Sequence, residues 1–363
     1  MQLRIPGPTP VPDAVREALS RQMINHRGPE FADLIARVTR RLKPYFQTAN
    51  DLFLLTASGT GALEAAVVNT LSPGDRVLAV SIGVFGDRFA EIARVYGAEV
   101  VTAGFEPGQA ADPAVVARLL ETSGPFKAVL VTHNETSTGV TNDLAALAGV
   151  VHRTEALLLV DAISSVGSIE LKADAWGCDV VLTGSQKGWM VPPGLAMVTV
   201  GARAWDAYRA AKLPRFYWDF GKARSYLERG QTPATPAVSI LFALDVALEL
   251  MEQEGMANIF ARHQRCAERV RQGVKRLGLE LFADEAHASN TVTAVKVPED
   301  VDAARLLKTL RDEGVVLAGG QGPQAGKIFR VGHLGWIDES DVDEILAALA
   351  LALPLARRVP ARG

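Results

Sequence analysis

Cysteine is nearly absent. The 363-residue chain has two, Cys178 and Cys266, far apart and not in a C-x-x-C pair. A disulfide framework or a cysteine-based zinc site is therefore not expected, and both thiols read as ordinary buried residues on a strand and a helix. The six histidines are scattered without ligand spacing. No long apolar run occurs: the most apolar stretch, 345–356, is about half of the roughly 20 residues that a membrane span needs, and reads as a buried last helix. Residues 1–8 hold no apolar core of a signal peptide, and residues 360–363 form no peroxisomal address. There is no excess of one charge: Lys+Arg number 38 against Asp+Glu 41, a net charge of −3. That balance argues against gripping nucleic acid or a membrane surface, while leaving room for one local anion pocket. These absences together lead to the expectation of a cytoplasmic protein.

What is present is a large apolar fraction, 48%, in a chain long enough for two domains. No internal repeat is visible. Residues 1–12 are rich in Pro and Gly and read as an N-terminal arm. The segments 52–55, 77–80, 100–103, 128–132, 157–160, 180–182 and 196–200 are short apolar runs without polar alternation. Helix-like segments lie among them, at 30–46, 62–71 and 86–96. This is the pattern of strands buried on both faces of a mostly parallel sheet. After Pro236 the pattern changes to two long helices, 239–254 and 256–277. Then come a strand at 291–297, a helix at 302–313, strands at 315–318 and 328–331, and a helix at 339–353. The expected architecture is α/β: an arm 1–12, a large doubly wound domain 13–255 and a small C-terminal α+β domain 256–363.

Three segments carry chemistry. Ser58-Gly59-Thr60-Gly61 links a strand to a helix, and free N–H groups beside two hydroxyls at a helix start make an anion site. The same turn also occurs without any ligand, and it lacks the spacing of a Rossmann fingerprint. Asp161 closes a buried strand at the carboxyl edge of the sheet, where α/β folds bind ligands, although it could simply cap the next segment. Under a pyridine ring its carboxylate would keep the ring nitrogen protonated and make the ring an electron sink. Lys187 follows another buried strand in Gly184-Ser185-Gln186-Lys187-Gly188-Trp189. A buried lysine has a lowered pKa and becomes a nucleophilic amine, whereas an ordinary loop lysine is solvated. Small neighbours and Trp189 favour burial.

In order and spacing, these motifs resemble the class V aminotransferases, which are fold type I pyridoxal-phosphate enzymes. The resemblance extends to G-P-T-P at the N-terminus, A-L-E-A-A after the glycine turn, N-E-T-S-T-G at 134–139, V-D-A-I-S-S-V-G around Asp161, P-P-G at 192–194 and F-R-V-G-H-L-G at 329–335. It is nearest to the alanine–glyoxylate, serine–pyruvate and serine–glyoxylate aminotransferases. The resemblance implies that Lys187 carries pyridoxal 5'-phosphate as a Schiff base and later moves the substrate proton. It implies that Asp161 pairs with the ring nitrogen and that Ser58, Gly59, Thr60 and Gln186 hold the phosphate. Thr136 would contact the ring or its oxygen, and Phe85 would stack on the ring where close relatives often have Trp. Arg330 would grip the substrate carboxylate, for which a guanidinium fork is suited. Thr235 would reach the phosphate of the other subunit in a homodimer with shared active sites, with Thr232 where some relatives place a tyrosine.

The implied reaction is a ping-pong transamination from serine or alanine to glyoxylate or pyruvate. A dicarboxylate donor such as aspartate would want a second cation, for which Arg27 and Arg224 are candidates; aminoethylphosphonate is a further possible donor. A cysteine desulfurase-like lyase on the same fold needs a thiolate before Arg330, and residues 318–324 contain none. A binding module that has lost its chemistry is countered by the intact Lys187, Asp161 and Arg330. His26, Arg27 and His133 are given no catalytic part.

Overall fold

The structure, a computed structural model, describes residues 1–358, so residues 360–363 lie outside it. Its large sheet has seven strands: β1 (Asp51–Leu55), β2 (Arg76–Ser81), β3 (Glu99–Gly104), β4 (Ala128–Thr132), β5 (Leu157–Asp161), β6 (Val180–Gly184) and β7 (Ala196–Val200), in the order β1-β7-β6-β5-β4-β2-β3. All neighbours from β6 to β3 run parallel, and β7 is antiparallel to both β6 and β1. The absence of polar alternation in the sequence follows from burial on both faces. Leu158 and Val160 enter one hydrophobic core, while Leu157 and Leu159, pointing the other way, enter a second. Helix Gly59–Thr70, apolar nearly all round, is buried against β6 and β7.

A third core lies beyond helix Val238–Glu254. It joins helices Met256–Arg276, Ala303–Asp312 and Glu339–Leu355 to a three-stranded antiparallel sheet of β8 (Val292–Lys296), β9 (Ala318–Gly319) and β10 (Ile328–Gly332), in the order β8-β10-β9. Among the described residues, no helix is long and apolar enough to cross a membrane. The single strand expected at 315–318 is divided. Val315–Val316 pairs in parallel with Gln2–Leu3 of the arm, and only Ala318–Gly319 joins β10. Helices Pro113–Ser123, Leu144–Val151 and Phe220–Leu227 were not foreseen, although Asp112, Asp143 and Asp219 cap them with side-chain bonds to backbone N–H groups. Cys178 lies in the turn before β6 rather than on a strand; Cys266 is on a helix, and both are buried and free.

What the fold does for a site is bring three loops to one edge. Thr132 pairs with Asp161 and Asp161 with Leu182, so β4, β5 and β6 end side by side. The loop leaving β6 is anchored by Trp189, which is fully buried, stacked on Phe46 at 5.9 Å and edge-on to Tyr45 at 5.6 Å. Trp189→Ala is expected to cost roughly 3–5 kcal/mol of stability by opening a cavity under that loop. Urea denaturation measures it, and a loss below about 1 kcal/mol would show that the loop is not anchored there.

Candidate active site

Beyond the carboxyl ends of β4, β5 and β6 lies a cavity of about 110 Å³. Ser58, Gly59, Thr60, Phe85, Thr136, Asp161, Gln186 and Lys187 all line it, so eight of the ten expected site residues meet at one place. Arg330, on β10, stands behind Thr136: its Nη1 donates to the Thr136 carbonyl at 3.1 Å. Thr235 is exposed on the segment before helix Val238–Glu254 and does not line this cavity. Thr232 is buried nearby, its hydroxyl donating to the Ala234 carbonyl at 2.7 Å.

Lys187 is buried, and burial pulls its amine down to about 8, aided by the positive charges of Arg330 and Arg88 and opposed by Asp161. Its Nζ donates to the carbonyl of Pro6, in the arm. Gly7 follows at φ +115°, and a Cβ there would stand 2.7 Å from Nζ, so the approach of arm to lysine requires glycine. Thr9 completes the contact, its hydroxyl donating to the Lys187 carbonyl at 3.0 Å. Asp161 is also buried. Burial raises its carboxyl to about 7, against the bond it accepts from Ile163 N–H at 2.9 Å; Glu135 adds to the rise, and Lys187 and Arg88 oppose it.

Arg330 is 4% exposed and donates to the Gly319 carbonyl at 3.0 Å and to Gln321 Oε1 at 3.4 Å, besides Thr136. Among the described residues no carboxylate forms an ion pair with it, and burial lowers its pKa while the charge of Glu135 opposes the shift. A buried guanidinium bonded only to neutral oxygens retains capacity for an external carboxylate.

The residues fit the cofactor that the resemblance implies. Ser58 begins helix Gly59–Thr70 without a side-chain cap, which leaves first-turn N–H groups free for an anion. A Cβ on Gly59 would meet the Ile163 side chain at 2.5 Å, so this first-turn position requires glycine. The Gln186 amide lines the cavity with its Oε1 buried and unpartnered, and a flip of that amide would present its Nε2 N–H groups to a phosphate. Asp161, costly as a lone buried anion, suits a protonated ring nitrogen.

Arg88, Asn134, Ser164 and Ile163 also line the cavity and were not singled out from sequence. Arg88 had a legible signal: it lies one helical turn after Phe85 and stacks its guanidinium 4.9 Å from that ring. Arg27 and Arg224 lie elsewhere; the first bonds the Thr232 carbonyl and the second sits by Asp51 and Glu228. His133 is buried against Ser165, with its pKa lowered to about 4 by burial, and is neutral near pH 7.

Residues 6–332 match the family described as Aminotransferase class-V. A soluble hydrogenase 42 kDa subunit from Anabaena cylindrica is 45% identical, over 97% of this chain and 93% of its own. An L-aspartate–glyoxylate aminotransferase from Paracoccus denitrificans is 37% identical, over 98% and 94%. A serine–glyoxylate aminotransferase from Hyphomicrobium methylovorum is 38% identical, over 97% and 89%. The crystal structure of an alanine–glyoxylate aminotransferase from Nostoc sp. superposes with a TM-score of 0.93 at 32% identity, covering 96% of this chain and 94% of that one.

Asp161 links the site to stability. Its carboxyl titrates at about 7 when folded but near 3.9 when exposed. The folded chain therefore holds a proton that the unfolded chain has released, and cofactor-free stability falls as pH rises from about 4 to 7. Asp161→Asn removes this loss. At pH 8 the cofactor-free variant is expected to be more stable than wild type by roughly 4 kcal/mol, the gap closing toward pH 4. Urea titrations across pH measure this, and equal stabilities at pH 8 would contradict it.

Proposed function

The chain belongs to the class V aminotransferases, pyridoxal-phosphate enzymes of fold type I, and on that premise we propose that it moves an amino group from serine or alanine to glyoxylate or pyruvate, each substrate using one site in turn. The supporting observation is Arg330, a buried guanidinium without a carboxylate partner among the described residues, set one residue's backbone away from a cavity that holds Lys187 and Asp161. The names of the Hyphomicrobium and Nostoc proteins lend support for small donors and glyoxylate as acceptor.

Ser58, Gly59, Thr60 and Gln186 would hold the phosphate, Phe85 one face of the ring and Asp161 its nitrogen. Bound there, pyridoxal phosphate supplies an electron sink for the pair left behind when the substrate loses its α-proton. Lys187 Nζ, with its pKa drawn down to about 8, has a neutral fraction able to take that proton near physiological pH. Arg330 fixes the carboxylate through two parallel N–H bonds, which sets the angle at which the α-carbon faces Nζ. Donor and acceptor share the same carboxylate grip, which is why the product of the first half leaves before the second substrate enters.

Arg88 favours a second reading. It lines the cavity, and among the described residues no carboxylate forms an ion pair with it, so it could receive the second carboxylate of aspartate, the donor named in the Paracoccus relative. The hydrogenase name belongs to the Anabaena relative. In this chain the two thiols sit in separate cores and neither lines the cavity, so no feature of the site carries that name, or a desulfurase activity, across. A homodimer completed by Thr235 and a cytoplasmic location belong to the same proposal. They rest on the exposure of Thr235 and on the two free, buried thiols.

Addition of serine or alanine to the cofactor-loaded protein is expected to abolish its visible absorbance, and glyoxylate to restore it. A response to aspartate alone would move the assignment to the second reading, and no response to any amino acid would end it. Arg330→Gln is expected to raise the KM for the amino donor by roughly 10–100-fold, as lost charge-assisted bonds predict. Steady-state kinetics measure this, and an unchanged KM would remove Arg330 from substrate binding.

A further inference from the structure

Glu135 is a fully buried carboxylate to which no step has been given. Its Oε2 accepts from the backbone N–H groups of Phe85 at 3.0 Å and Gly86 at 3.1 Å, the first turn of helix Val84–Val95. Its Oε1 accepts from the N–H of Ser137 at 3.0 Å and from the Ser137 hydroxyl. That hydroxyl in turn accepts from Val84 N–H at 3.0 Å. Gly83 leaves room for the clamp, since a Cβ there would stand 2.5–2.7 Å from Ser137 Oγ and Glu135. Two side chains thus take up three N–H groups of the helix that carries Phe85 and Arg88.

The same loop reaches the other wall of the site. Thr136, between the two clamping residues, bonds Ser164 Oγ at 2.8 Å and offers its carbonyl to Arg330. The Glu135 charge also opposes the effect of burial on Arg330. An ordinary helix start would be served by a solvated Ser or Asp. A buried anion is costly, and here it holds the Phe85 helix to the loop whose Thr136 carbonyl bonds Arg330.

We infer that Glu135 is a positioning residue, which sets the ring-facing side of Phe85 and the carboxylate-gripping Arg330 at a fixed separation. It rests on the aminotransferase reading of Phe85 and Arg330. An amide in its place keeps one acceptor oxygen and turns an NH2 toward N–H donors, so one half of the clamp opens. Ser137→Ala removes the Val84 arm and the hydroxyl bond to Oε1, and leaves the bonds of Oε2 to Phe85 and Gly86 in place.

The test compares wild type, Glu135→Gln, Ser137→Ala and Arg330→Gln. Each cofactor-free protein is titrated with pyridoxal phosphate, and the dissociation constant and the visible circular dichroism of the bound cofactor are recorded. KM and kcat for the amino donor follow. Glu135→Gln is expected to change the dichroism, to weaken cofactor binding by roughly threefold or more, and to raise KM about tenfold, with Ser137→Ala displaced in the same directions by less. If the folded Glu135→Gln and Ser137→Ala proteins show wild-type dichroism and KM while Arg330→Gln has a raised KM, Glu135 is only a structural cap and the inference fails. If Arg330→Gln also keeps its KM, the failure belongs to the functional reading instead. Should Glu135→Gln not fold, Ser137→Ala alone decides by the same readouts.

Discussion

Holding an amine, a carboxylate and a guanidinium together out of water is the constraint on which the rest of this structure depends. Each is expensive to bury as a charge, and each is shifted in the direction that relieves the expense: Lys187 down to about 8, Asp161 up to about 7, and Arg330 below its ordinary value. Among the described residues none has a full ion-pair partner of its own, and on the proposed reading a ligand that brings a ring cation, a phosphate and a carboxylate would supply those partners. Such an arrangement persists only where the surroundings leave it no alternative. Two apolar cores on opposite faces of the large sheet, with Trp189 clamped by Phe46 and Tyr45, supply that rigidity.

The arm makes the constraint global. Gln2–Leu3 pairs with Val315–Val316, the Arg4 carbonyl accepts from Gly332 N–H at the end of β10, and Pro6, Gly7 and Thr9 lie on Lys187. Fewer than ten residues therefore tie the strand carrying Arg330 to the loop carrying Lys187. Glycine at position 7 permits that contact, since any side chain would displace the amine. Arg330 is thus tied to Lys187 through the arm, and to the helix carrying Phe85 through the loop holding Glu135 and Thr136.

Much of this was legible in the sequence, for physical reasons. Strands buried on both faces must be continuously apolar, so β4 and β7 were delimited to the residue. Asp161 ends β5 and Lys187 follows β6, which run parallel. Ser58 follows β1, which points the same way because both β1 and β6 are antiparallel to β7, so all three reach one edge. Short helices such as Leu144–Val151 were missed because eight residues carry too little periodicity, although their Asp caps were present. The strand expected at 315–318 was split because its first half pairs with the arm, a contact across more than 300 residues that no local pattern encodes. Glu135 stood in view within N-E-T-S-T-G, but only the fold shows that its carboxylate faces the amides of the Phe85 helix. Thr235 remains exposed in the single chain, and its role is a matter for the assembly.

The central claim is that one lysine of this chain, Lys187, carries the cofactor. Reduction of the pyridoxal-phosphate-loaded protein with borohydride, followed by peptide mass analysis, tests it directly. A single phosphopyridoxyl group on the peptide containing Lys187 is the predicted result. Label on another lysine, or spread thinly over exposed lysines with Lys187 unmodified, would contradict the account.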